Sequence, residues 1–233
     1  GKSALASNTT GAGNTSVGYN SLSSETEGLR STAIGYSALA TQNLAGGYQA
    51  YNTAVGYNAG TAITTGLQNT LIGGDAGDAL TTGGYNTALG KDALGANTTA
   101  SRNTAVGYQA ILNNTTGQDN TSLGYQALLN STTAAQNTAI GKDALKATTT
   151  AGSNTAVGYQ AGLSNTTGTA ITAIGYEALQ SNTTGVSNTA VGRRSIQTNT
   201  TGQYNTAIGH DALLSNTTAS NNTAVGYNAL TAN

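Results

Sequence analysis

A glycine that follows an aliphatic residue recurs at a fixed interval along this chain, and that recurrence limits the possible fold more than anything else in the sequence. It stands at Gly18, Gly35, Gly56, Gly73, Gly90, Gly107, Gly124, Gly141, Gly158, Gly175, Gly192, Gly209 and Gly226. From Gly56 onward every interval is seventeen residues. The one exception is Gly35 to Gly56, longer by four residues, so positions 36–55 are expected to form an irregular coil with a bulge or a longer loop. Each unit reads N-T-A-[VI]-G-Y-x-A-L, followed by x-x-N-T-T-G-x-x. A regular short period marks an architecture in which each unit packs only on its neighbours. Seventeen residues are too few for a helix pair with loops, and the frequent Gly, Thr and Asn oppose helix. The expectation is an all-β, parallel β-solenoid of about thirteen coils, forming one continuous array over residues 1–233. Gly1 falls on the glycine phase and Asn233 in mid-repeat, and neither end resembles the atypical cap of a solenoid. The array therefore reads as a fragment of a longer fibre.

Within each unit, two-residue alternation puts Thr and the following Val, Ile or Leu on one face of a short strand and the intervening Ala on the other. A branched aliphatic in every copy reads as core. Thr104, Val106 and Gly107, like Thr155, Val157 and Gly158, are thus expected to stack as structural ladders, with Thr and Val inward. Ala105, Ser122, Ala139, Ala156, Ala173 and Ala190 are expected to line an outer face. The glycine permits a bend. A second short strand, Y-x-A-L, is expected to return Leu94, Leu128, Leu145, Leu213 and Leu230 to the core, giving two strands per coil. The Asn four places before the glycine occurs in eleven copies. In a stack it can donate to and accept from its equivalents above and below.

Composition agrees with a thin, hydrogen-bonded core. Phe, Trp, Met, Cys and Pro are absent and charged residues are 7% of the chain, so a broad core of large side chains cannot be assembled. Disorder is opposed by the regularly placed β-branched residues and by a net charge of only -1. Eight scattered Lys and Arg are a poor basis for nucleic-acid binding, which needs clustered cations. Without cysteine there are no disulfides or thiolate metal sites, and no apolar run approaches the length of a membrane span.

The T-A-[VI]-G core followed three residues later by Ala, as in Thr104 to Gly107 with Ala110, resembles the head repeats of YadA-type trimeric autotransporter adhesins. Similar N-T-A-[VI]-G-Y-x-A-L arrays occur in phage and viral tail fibres. The resemblance covers essentially the whole chain. It implies a left-handed parallel β-roll, side-by-side association as a homotrimer, and a fibre exposed on a cell or virion surface that adheres to host molecules. The unit here is longer than the usual head repeat, with the extra length in the N-T-T-G segment.

That segment carries the candidate modification sites. Asn8, Asn97, Asn114, Asn165, Asn182, Asn199 and Asn216 share one phase, and each begins an N-x-Thr sequon able to accept a glycan in a secretory pathway. The alternative is that Asn and Thr merely form the turn. Catalytic, cofactor and metal sites are not expected. His210 is the sole histidine and replaces the usual Tyr, as Lys91, Lys142 and Arg193 do. If it lies in a strand, Asp211 points to the opposite side. The acidic GGDAGD from Gly73 to Asp78 occurs once, whereas calcium takes six to eight oxygens, so it reads as a variant coil. The function expected is a non-enzymatic extracellular structural or adhesive fibre giving reach and multivalent contact, with self-association and cell-surface glycans as partners. The first alternative is a self-assembling filament that carries covalently attached glycans. An ice-binding solenoid ranks last, because Thr inward would leave only the loop threonines to form an ice plane.

Overall fold

A computed structural model describes residues 1–232 and is all-β, a parallel β-solenoid with one three-residue strand per repeat. The strands are β1 (Thr15–Val17), β2 (Thr32–Ile34), β3 (Thr53–Val55), β4 (Thr70–Ile72), β5 (Thr87–Leu89) and β6 (Thr104–Val106) in one compact unit, Gly1–Gln118. A second unit, Asp119–Asn233, contains β7 (Thr121–Leu123), β8 (Thr138–Ile140), β9 (Thr155–Val157), β10 (Thr172–Ile174), β11 (Thr189–Val191), β12 (Thr206–Ile208) and β13 (Thr223–Val225). Within each unit consecutive strands pair in parallel, Thr on Thr and aliphatic on aliphatic, as in Thr138↔Thr155 and Ile140↔Val157. Register holds across the long coil as well, where Thr32 pairs with Thr53. Its extra residues leave the wall near Gly46 and Gly47, both at positive φ, while Leu44 stays in the core.

The strand faces are the reverse of those expected. Ala139, Ala156 and Ala173 are fully buried, whereas Ile174 is 38% and Val225 68% exposed. Alternation was legible, but which side faces inward depends on room. The lumen of one coil already holds a leucine, two asparagines and a second alanine, so only a methyl group fits between them. Native interiors are close-packed, and an extra methylene costs about 1–3 kcal/mol. The outward branched residues suit a strand through their restricted rotamers and pack on their equivalents in adjacent coils. Val106 and Val157 are accordingly half-buried on the outside. Where serine replaces the inner alanine it is satisfied internally, the Ser122 hydroxyl donating to Ala127 O at 3.0 Å.

The second expected strand is absent among the described residues, and turns occupy its place. Ala161 N donates to Gly158 O, with Gln160 at φ 53°, and Thr148 N donates to Leu145 O, with Leu145 at φ 50°. Bonds between coils continue around these turns, for example Leu145 N to Ala161 O at 3.0 Å. Leucine in left-handed conformation is strained by roughly 1–2 kcal/mol. Full burial of Leu128, Leu145, Leu179 and Leu213 offsets this, at about 2 kcal/mol each.

The core is filled by compensating sets. Three coils carry glycine in place of that leucine, at Gly60, Gly77 and Gly162. The vacated space is taken by Ile63, Leu71, Leu80 and Ile171, all buried. A Cβ added to Gly60 would lie 2.7 Å from Leu71 Cδ1, and one added to Gly77 2.9 Å from Leu71 Cδ2.

Candidate functional site

No concave pocket exists among the described residues. The repeated side chains therefore matter as columns on the outer surface and inside the wall.

Two asparagine columns lie inside. The first is the expected ladder: Asn137 N and Nδ2 donate to Asn120 Oδ1 at 3.0 and 3.1 Å, and Asn154 N donates to Asn137 Oδ1 at 3.1 Å. The second is formed by the sequon asparagines. Asn97, Asn114, Asn165, Asn182, Asn199 and Asn216 are fully buried. Asn182 Nδ2 donates to Asn165 Oδ1 at 2.9 Å, Asn199 Nδ2 to Asn182 Oδ1 at 2.8 Å and Asn216 Nδ2 to Asn199 Oδ1 at 3.1 Å. Each also closes its own turn, as Asn182 Nδ2 does onto Gly185 O at 2.9 Å. Nδ2 is the atom a glycan would occupy, so the folded coil does not offer it at these six positions. Asn8 alone of the seven is exposed. The interior placement had a signal in the sequence, because Ile63 and Leu80 hold the same phase in the two coils that carry Gly60 and Gly77. Intact mass of protein from a glycosylating host, before and after deglycosylation, is expected to show no occupancy at the six buried sequons. A glycan on any of them in folded protein would overturn their interior assignment.

One member of the second column is a carboxylate. Buried Glu25 has no ion-pair partner among the described residues; its Oε1 accepts from the backbone N–H of Thr26, Gly28 and Leu44, and its Oε2 from Gln42 Nε2.

Outside, three columns run side by side: the strand threonines, the strand aliphatics and, beyond the glycine bend, the tyrosines. The glycines permit the bend at φ 132° in Gly107 and 138° in Gly158, values that L side chains rarely adopt. Tyr19, Tyr36 and Tyr57 stack at centroid distances of 5.2 and 5.3 Å, and Tyr159 and Tyr176 at 5.2 Å. These rings turn their faces toward one another along the column, so a sugar ring cannot stack on the faces between them. Cations substituted into the column keep the contact: Lys142 Nζ lies 5.9 Å from the Tyr125 ring centre and 5.5 Å from that of Tyr159, and the Arg193 guanidinium 5.6 Å from that of Tyr176. Neighbouring carboxylates balance the charge, as in Lys91 with Asp92 at 2.9 Å, a bond that raises the lysine's pKa.

His210 is one of these substitutions. It sits in a turn rather than a strand, and this corrects the expected separation from Asp211: Nδ1 lies 3.3 Å from Asp211 Oδ2. Arg193 donates to Nε2 at 3.0 Å, and Arg194 Nε donates to Asp211 Oδ1 at 2.9 Å. The group is a local charge cluster on the outer surface. In the acidic coil, Asp75 accepts from Asn58 Nδ2 at 3.3 Å, and Asp78 titrates above the usual carboxylate value because of burial first and Asp75 second.

The outward threonines form three columns, of which the second threonine of each N-T-T segment, Thr167, Thr184 and Thr201 among them, is exposed and makes no side-chain hydrogen bond among the described residues. Those of the N-T-T segment that follow the asparagine are tied down, Thr166 Oγ1 donating to Thr183 O and Thr183 Oγ1 to Thr200 O, both at 3.0 Å. Among the described residues, the strand threonines, Thr104 and Thr155 included, make no side-chain hydrogen bond to the protein. No protein family, characterised protein or solved structure matches the chain.

Proposed function

We propose that the chain is a segment of an extracellular, non-enzymatic structural and adhesive fibre whose strand face is a repeated contact surface. The observation that carries this reading is the outward turn of the branched aliphatics. A column of side chains that hydrophobicity alone would place inside is held partly in solvent, coil after coil, at 36% to 47% exposure in Ile72, Leu89, Leu123, Ile174 and Ile208. Exposed apolar columns of this extent mark contact surfaces, and repetition makes contact multivalent.

The other readings have less support. A homotrimer is implied by the resemblance to adhesin head repeats, and the alanines that would have allowed chains to pack closely are interior. A glycan-bearing filament would need attachment atoms that the second asparagine column uses internally.

The test is retention of labelled protein on cell monolayers and on immobilised cell-surface polysaccharide, for the wild type and for Ile174→Lys with Ile208→Lys. Both residues point outward, at 38% and 43% exposure, so the denaturation midpoint should stay within about 0.5 kcal/mol of wild type. Retention lost with the midpoint unchanged supports the proposal. Equal retention by the two proteins, or none by either, sinks it.

A further inference from the structure

We infer that the strand face binds ice, the threonine and aliphatic columns together forming the contact. This rests on the strand face being a contact surface and names what it contacts. Four observations lead there. First, both columns point outward, which removes the reason for ranking ice binding last: the threonines of T-A-[VI] share their face with the aliphatics and are half-buried or exposed. Second, neither column carries a charge in any of the thirteen coils. Ice does not accommodate ions in its lattice, so a face for ice must be uncharged, whereas a face for polyanions would carry cations. The adjacent tyrosine column, by contrast, admits Lys91, Lys142, Arg193 and His210.

Third, the face is a lattice. In-register parallel pairing repeats each group at about 4.8 Å from coil to coil and sets threonine and aliphatic about 6.6 Å apart along a strand. Both spacings are near oxygen repeats in hexagonal ice. Each unit does this independently, β1 to β6 in one and β7 to β13 in the other. β-branched side chains have few rotamers, so hydroxyl and methyl positions are fixed before binding, and little ordering entropy is lost on contact.

Fourth, the strand hydroxyls are uncommitted. The first threonines of the N-T-T segment donate to the next coil, while those of the strand column have no partner within the described protein and are left to water; the second N-T-T threonines, Thr167 and Thr201 included, are also free but have no aliphatic column beside them on a strand. A row of fixed hydroxyls separated by methyl groups orders water between the rungs, and that ordered layer joins an ice surface by hydrogen bonds. The apolar column adds the area removed from liquid water.

The test is partitioning of the labelled full chain into ice grown slowly on a cold finger, together with thermal hysteresis. Wild type should enrich in the ice fraction and open a hysteresis gap. Thr155→Lys with Thr189→Lys, on the strand face, should lose both. Thr167→Lys with Thr201→Lys, on the exposed N-T-T edge, should keep both. Should lysine unfold the coil by circular dichroism, Thr155→Ser with Thr189→Ser keeps the hydroxyls and deletes the methyls, and must show reduced partitioning. Wild type remaining in the liquid, strand-face and edge variants behaving alike, or unchanged partitioning of the serine variant would each overturn the inference. So would sedimentation of wild type as an oligomer that the strand-face lysines dissociate, since a second copy would then own the face. Cell retention without ice partitioning removes this inference and leaves the fibre; ice partitioning without cell retention does the reverse.

Discussion

Gly158→Ala is expected to destabilise the second unit by about 4 kcal/mol, from roughly 1–3 kcal/mol of backbone strain and a similar cost of overpacking. Gly158 sits at φ 138°, and a Cβ there would lie 2.3 Å from Gly175 O and 2.7 Å from Gly175 C. Neither atom can yield, because Gly175 is fixed in the same way against Gly192, whose oxygen lies 2.4 Å from where a Gly175 Cβ would be. The glycine column is thus a line of contact between coils as well as a line of bends. Gly74→Ala is the matched control: no atom lies within 4 Å of its added Cβ. That change should be neutral, or stabilising by about 0.4–1 kcal/mol through the unfolded chain. Urea midpoints of the two variants decide the matter, and coincident midpoints would refute the contact.

The period, the glycine column and the first asparagine ladder were legible in the sequence because each rests on an identity that only one geometry uses well. Glycine alone tolerates the bend, and an asparagine amide pairs with copies of itself. The direction of the strand face was not legible. Hydrophobicity ranks Val above Ala for burial, whereas the room inside a seventeen-residue coil ranks them the other way. The clue lay in the compensating sets. Leu71 occupies the alanine column in the coil flanked by Gly60 and Gly77, which makes sense only if that column faces inward. The turns replacing the second strand were hidden for another reason. Leu145 and its equivalents adopt a left-handed conformation that local preference disfavours, and only burial holds them there. The sequons left two readings open because N-x-Thr has two physical uses, as a glycan acceptor and as a turn whose asparagine closes onto the residue three places on.

Asn137→Ala should cost about 4 kcal/mol. Removing the amide orphans two buried groups, Ala151 O, which now accepts from Nδ2 at 3.0 Å, and Asn154 N–H, which donates to Oδ1 at 3.1 Å. Each unsatisfied buried group costs about 1–3 kcal/mol. The chain's own exception agrees: Ile171 stands in this column, and beside it Gly162 replaces a leucine, so an apolar member is accommodated where a neighbour has been cut back. Asn137→Asp separates hydrogen bonding from packing, because the two side chains have nearly the same shape. An aspartate keeps the acceptor for Asn154 N–H but, when ionised, cannot donate to Asn120 Oδ1 or Ala151 O. Burial against those two oxygens raises its folded pKa above the unfolded value of about 3.9. The native state of this variant then binds more protons than the unfolded state, so its stability falls as pH rises from about 4 toward the folded pKa. Denaturation midpoints relative to wild type should be closest near pH 4 and diverge toward pH 7. A constant offset across that range would mean that shape, and not the donor, holds the column together.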